Sequence, residues 1–147
     1  IGHLQRNKVK YIAPFVSLIH SVDSQRLLNE IDKQGKKNDR VIDCLLQVRI
    51  AQEETKFGLT YEDCDALLQQ FDCTNVQIRG LMGMASFTAN QDQIEEEFKL
   101  LQKYYDQHQS QQQWDILSMG MSGDYPLALR CGSNMIRVGS SIFGARN

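Results

Sequence analysis

The chain has 147 residues, 41% of them hydrophobic and 23% charged, with a net charge of −2. These are globular values for one domain with a real core. They give no basic footprint for nucleic acid and no polybasic signal for a membrane surface, and no apolar run approaches the about 18 residues that a membrane helix needs.

The four cysteines, Cys44, Cys64, Cys73 and Cys131, lack CxxC spacing and sit inside apolar patterns. They read as buried free thiols of a reducing compartment, the cytosol, rather than as a disulfide framework or a zinc site. The first residue is Ile1, and Ile1-Gly2-His3-Leu4 reads as a strand interior with no signal-peptide pattern. We expect a fragment whose N-terminal part is missing.

In chain order, residues 5–13 fit a helix that Pro14 ends. The apolar, β-branched run 15–22 reads as a buried strand. Ser24 is placed to cap a helix with Leu27, Leu28 and Ile31 on its apolar face. A second strand is expected over 41–50. Thr60, with Asp63 three residues on, has capping-box spacing for a helix bearing Cys64, Leu67, Leu68 and Phe71. A third strand follows over 76–85. The longest helical pattern has Ile94, Phe98, Leu101 and Tyr105 on one face and Glu95, Glu96, Lys99 and Lys103 on the other. The glutamine-rich stretch 107–113 reads as its end plus a loop. Strands over 116–121 and 135–143 flank a short helix opened by Asp124 and Pro126 and stopped near Gly132.

With the possible strand over 1–4, six strands alternate with helices, which means a parallel sheet with right-handed crossovers. A doubly wound sheet fits that number. So does a (β/α)8 TIM-type barrel lacking about two units, since such a barrel of about 250 residues averages roughly 31 per unit. The start at Ile1 favours the barrel, truncated to about its last six units, with residues 1–147 as one partial domain.

In a barrel, function sits in the loops after the strands. Those loops are polar and rich in glycine here. Barrels commonly bind phosphate between their last two such loops. Gly139 and Ser140 offer backbone N–H groups in one of them, and their small size lets an anion approach. Ser122 adds a hydroxyl in the other, just before a helix start. Singly, each glycine reads as a tight turn; together at the two expected positions, the three residues read as a phosphate site. Arg137 sits inside an apolar strand, where it is either a structural ion pair or a donor aimed at a ligand.

Several motifs together resemble one family over essentially the whole chain. They are Ile1-Gly2-His3-Leu4-Gln5-Arg6-Asn7-Lys8, Ile50-Ala51-Gln52-Glu53-Glu54-Thr55-Lys56-Phe57-Gly58, Arg79-Gly80-Leu81-Met82-Gly83-Met84, Leu117-Ser118-Met119-Gly120-Met121-Ser122-Gly123-Asp124, and the run from Gly132 to Arg146 containing Arg137-Val138-Gly139-Ser140. The resemblance is to the pyridoxal 5′-phosphate homeostasis proteins. It implies a single barrel like the N-terminal domain of alanine racemase, holding pyridoxal 5′-phosphate (PLP) as a Schiff base to a lysine on the first strand. It implies that the phosphate rests on Ser122, Gly139 and Ser140. It further implies that Arg137 faces the pyridine nitrogen and keeps it unprotonated, which weakens the cofactor as an electron sink. Met84 and Lys56 complete the cofactor-binding candidates.

The Schiff-base lysine belongs to a first strand that we expect in the missing N-terminal segment. Of the eight lysines present, only Lys56 follows a strand on the functional side. It reads equally as a solvated loop residue. His3 reads either as lining the mouth or as a hydrogen-bonded core histidine. His20 and His108 have no ligand-like spacing, so no metal site is expected.

The resemblance implies a cofactor buffer and carrier that passes PLP to apo-enzymes, with no catalysis. The alternatives are a PLP-dependent amino-acid racemase and a barrel that binds some other phosphate. Racemisation needs proton donors on both faces of the substrate. Six strands cannot close a barrel, so the 147-residue chain is expected to aggregate or to pair with another copy, and to hold the cofactor weakly.

Overall fold

A computed structural model describes residues 1–146. The chain forms two compact units: Ile1–Val48 with Phe57–Arg79, and Arg49–Lys56 with everything from Gly80 onward.

In the first unit, a 3-10 turn at Arg6–Lys8 leads into α1 (Val9–Ile12), and β1 (Leu18–Val22), α2 (Gln25–Lys37), β2 (Ile42–Val48) and α3 (Tyr61–Gln69) follow. β1 and β2 pair in parallel, with Leu18 beside Asp43 and Ile19 beside Cys44. Both faces of β2 are covered: Ile42, Cys44, Leu45, Leu46 and Val48 are buried. That explains its continuous apolar run. The helices begin where their caps dictate. Ser24 Oγ accepts from the Leu27 N–H at 3.1 Å, and Thr60 and Asp63 close a reciprocal capping box at 3.0 and 3.1 Å. Leu27, Leu28 and Ile31 turn one face of α2 into the core, each adding about 2 kcal/mol of burial.

The strand β3 (Val76–Gly83) begins in the first unit and ends in the second. Its end pairs in parallel with β4 (Ile116–Met121), and β4 pairs with β5 (Met135–Arg137). Strand order in the sheet follows chain order, β1-β2-β3-β4-β5. α4 (Gln91–Gln112), α5 (Tyr125–Arg130) and α6 (Ser140–Phe143) complete the second unit. β3 and β4 approach closely because Gly80 of β3, paired with Ile116, has no side chain. At its φ of +154°, an added Cβ would lie 1.7 Å from the Ile116 carbonyl oxygen. Ser133 ties β4 to β5: its hydroxyl accepts from the Met119 N–H at 3.2 Å and lies 2.7 Å from the Met119 carbonyl.

Three expectations need correction. Residues 1–5 form no strand, so there are five strands among the described residues rather than six. The last strand stops at Arg137 instead of 143, because Gly139 turns the chain into α6, whose Ile142 and Phe143 are exposed. The glutamine-rich stretch continues α4 to Gln112, and Gln113 ends it in the left-handed region at φ 57°. The helical pattern over 5–13 is realised as the 3-10 turn plus α1.

Candidate functional site

Within the second unit, the loops after β3, β4 and β5 and the Arg49–Lys56 loop line one cleft of about 820 Å³. That lies within the range of about 300–1,000 Å³ typical of small-molecule sites. Five of the six candidates line it: Lys56, Met84, Ser122, Gly139 and Ser140. Arg137 lies at the end of β5 and is buried.

The two loops read as phosphate-binding meet through Ser122. Its Oγ accepts from the Gly139 N–H and from the Ser141 N–H, each at 3.2 Å. The Gly139 N–H is therefore not bare, as the sequence suggested, but held by the facing serine. The N–H groups of Gly123 and Ser140 have no partner among the described residues. A Cβ added at Gly123 or at Gly139 would meet nothing within 4 Å, so the space beside both residues is open. The exposed Arg146 also lines the cleft.

Arg137 forms no ion pair among the described residues. Its Nη1 donates to the Ser118 carbonyl at 3.0 Å and to Ser118 Oγ at 2.5 Å, and its Nη2 to the Gly83 carbonyl at 3.1 Å. All three acceptors are neutral. Burial without a carboxylate pushes the guanidinium down to about 10, with Asp124 opposing the shift. The Nε–H has no partner among the described residues. A buried cation satisfied only by neutral oxygens retains capacity for a lone-pair or anionic acceptor.

A further part of the lining is the wall formed by the segment 84–87. The Lys56 ammonium donates to the Ala85 carbonyl at 2.7 Å and lies 3.7 Å from Glu53 Oε1. Lys56 is thus tied to the wall, with 28% of its side chain exposed. Glu53 Oε1 accepts from the Phe87 N–H at 2.8 Å, and that bond chiefly holds its carboxyl below the usual range. Ser86 Oγ accepts from the Gln52 N–H at 2.8 Å and donates to the carboxylate of Glu97, a buried residue of α4. Met84 is half-buried beside this wall.

Ser86, Gly123, Arg146 and Glu97 were not read from the sequence as site residues. Glu97 carried a signal: three residues after Ile94, it lies on the apolar stripe of α4 rather than on its charged face. Among the other titratable candidates, His3 neither lines this cleft nor lies in the core. It is exposed in the first unit, stacked on Phe57 at 3.8 Å and 3.3 Å from Asp23. Burial pushes the Cys64 thiol up to about 12 and the Cys73 thiol to about 11, so neither is a thiolate near neutral pH. Cys73 is only half-buried, unlike the other three cysteines. Among the described residues, no cluster of three His, Cys, Asp or Glu could hold a metal ion, and no helix is long and apolar enough to cross a membrane.

Known proteins resemble this arrangement. The family described as "Alanine racemase, N-terminal domain" matches residues 1–147. A pyridoxal phosphate homeostasis protein of Aquifex aeolicus is 38% identical over 99% of the chain, which spans 65% of that relative's length. The structure of PipY of Synechococcus elongatus PCC7942, with PLP bound, is 34% identical with a TM-score of 0.87, covering 98% of this chain and 68% of that one. An alanine racemase of Clostridium difficile 630 superposes with a TM-score of 0.72 at 13% identity, over 99% of this chain and 39% of the enzyme. That last likeness shows fold alone: the parallel strands and alternating helices are those of the alanine racemase-type barrel.

Proposed function

Because the chain belongs to the alanine racemase N-terminal domain family, we propose that its second unit binds pyridoxal 5′-phosphate and that the protein acts in PLP homeostasis, holding and delivering the cofactor without catalysis. The observation that carries this reading is the pairing of an open phosphate lip with a buried arginine that has no carboxylate partner among the described residues. The names of the relatives and the PLP bound to PipY support it.

The residues present fit the group. The N–H groups of Gly123 and Ser140 and the side chain of Arg146 would receive the phosphate. Ser122 sets the spacing of the two loops by holding the Gly139 and Ser141 N–H groups, and it turns its hydroxyl proton toward the anion. Arg137, fixed by Ser118 and Gly83, would be the residue that holds the ring nitrogen of the group. When bound, PLP supplies an aldehyde that takes up amines and a ring that withdraws electrons. An arginine at the ring nitrogen holds no proton in place there, so the withdrawal is weak and storage is favoured over carbanion chemistry. Of the cleft's basic side chains, Lys56 is committed to the Ala85 carbonyl. It is held away from the role of a mobile proton carrier.

Delivery to apo-enzymes, a location in the cytoplasm and organisation of the 147 residues as one partial barrel domain complete the reading. Titration of the protein with PLP, pyridoxal and a sugar phosphate tests it. PLP binds more tightly than either of the others if the reading is right; equal binding of the sugar phosphate refutes it. Turnover of D- or L-alanine would refute the non-catalytic part.

A further inference from the structure

Glu97 is a carboxylate in the interior, 5% exposed, on a helix whose neighbouring buried residues are apolar. A carboxyl group in such a place needs hydrogen-bond partners. Among the described residues, one supplies them: the oxygens of Glu97 accept the Ser86 N–H at 3.1 and 3.3 Å and also the Ser86 hydroxyl. A serine hydroxyl has a single proton. Once that proton is given to Glu97, the oxygen can only accept, and it accepts the Gln52 N–H at 2.8 Å. Two further bonds join the same loops: Lys56 to the Ala85 carbonyl, and the Phe87 N–H to Glu53. Ser86, Lys56 and Phe87 all line the cleft, and Glu97 does not.

We propose that Glu97 is a positioning residue: by taking both donors of Ser86 it aims the Ser86 oxygen at the Gln52 N–H, and so fixes the cleft wall against which the ring of the ligand rests. The inference rests on the PLP reading above. The wall adjoins Gly83, whose carbonyl holds Arg137, so it borders the ring end of the ligand. The phosphate end is set by Ser122, Gly139 and Ser140, which Glu97 does not touch. Losing Glu97 therefore weakens recognition of the ring and leaves recognition of a bare anion unchanged.

Calorimetric titration of the whole chain with PLP and, separately, with inorganic phosphate tests this on Glu97→Gln. Glutamine keeps the size and one acceptor oxygen, but it replaces the other acceptor by an amide N–H2 that opposes the Ser86 N–H and can itself donate to the Ser86 oxygen, so the direction of that oxygen is no longer fixed. The expected result is a roughly tenfold weaker affinity for PLP, with phosphate affinity unchanged. Ser86→Ala reproduces that pattern, and Ser86→Thr, which keeps the hydroxyl, restores wild-type PLP binding. Unchanged PLP affinity in Glu97→Gln overturns the proposal. A parallel loss of PLP and phosphate binding also overturns it, since that marks a role in stability alone. Should Glu97→Gln not fold, the serine pair decides: PLP affinity equal in Ser86→Ala and Ser86→Thr is the contrary outcome. A wild-type chain that does not bind PLP refutes the function reading itself, which is a different result from a variant that matches the wild type.

Discussion

Arg40 in the first unit donates Nη1 to the Ala13 carbonyl at 2.5 Å and Nη2 to the Val16 carbonyl at 2.7 Å. Arg137 in the second unit does much the same with Ser118 and Gly83. Both are arginines bonded to neutral oxygens, yet their settings differ. Arg40 is half-buried and holds the end of α1, with a water-facing side to its charge. Arg137 is buried beside loops that keep open N–H groups and open space. The difference teaches that carbonyl-bonded arginine chemistry does not itself mark a site. What marks one is a desolvated charge together with room for a ligand.

The comparison can be sharpened or broken by substitution. The largest effect is expected from Gly80→Ala, which disturbs the β3–β4 spacing that sets the acceptors of Arg137. With its Cβ built 1.7 Å from the Ile116 oxygen, the variant should lose about 4 kcal/mol in denaturant unfolding. A loss below about 1 kcal/mol would mean that the strands part easily. Next, Arg137→Met should weaken PLP binding about 100-fold, read by titration; wild-type affinity would reduce Arg137 to the status of Arg40.

Ser122→Ala should weaken PLP and inorganic phosphate alike, by about tenfold, since it releases the Gly139 and Ser141 N–H groups from their common acceptor. An effect on PLP alone would move Ser122 from the phosphate end to the ring. Smallest is Arg40→Met. It should cost about 1 kcal/mol of stability and leave PLP affinity untouched, and any change in affinity would erase the contrast between the two arginines.

Local signals were legible in the sequence. Ser24 and the Thr60–Asp63 pair cap their helices as their spacing indicates, because a cap is decided within four residues. The alternation of strand and helix, and with it the parallel fold class, was legible for the same reason. The family resemblance read from the loop motifs is borne out by relatives that match nearly the whole chain. What failed had two causes: partners distant in sequence, and single residues that overrode or hid in a local pattern. Ile1-Gly2-His3-Leu4 has strand composition but joins no strand among the described residues. Val138, Ile142 and Phe143 are apolar and β-prone, yet the glycine between them turns the chain into a helix. Glu97 was hidden beside Glu95 and Glu96, although its spacing from Ile94 and Phe98 placed it inside. The partners of Arg137 are a serine 19 residues away and a carbonyl 54 residues away, which no local pattern reports.

The central claim is that PLP is held in the second unit with its phosphate at the lip. Amide chemical-shift mapping during titration with PLP tests it most directly. The account predicts that the amides of Gly123, Gly139 and Ser140 move most, followed by those of Ala85 to Phe87. Shifts centred instead on Asp23, Ser24 and Asp63, which line a cleft of the first unit, would contradict it.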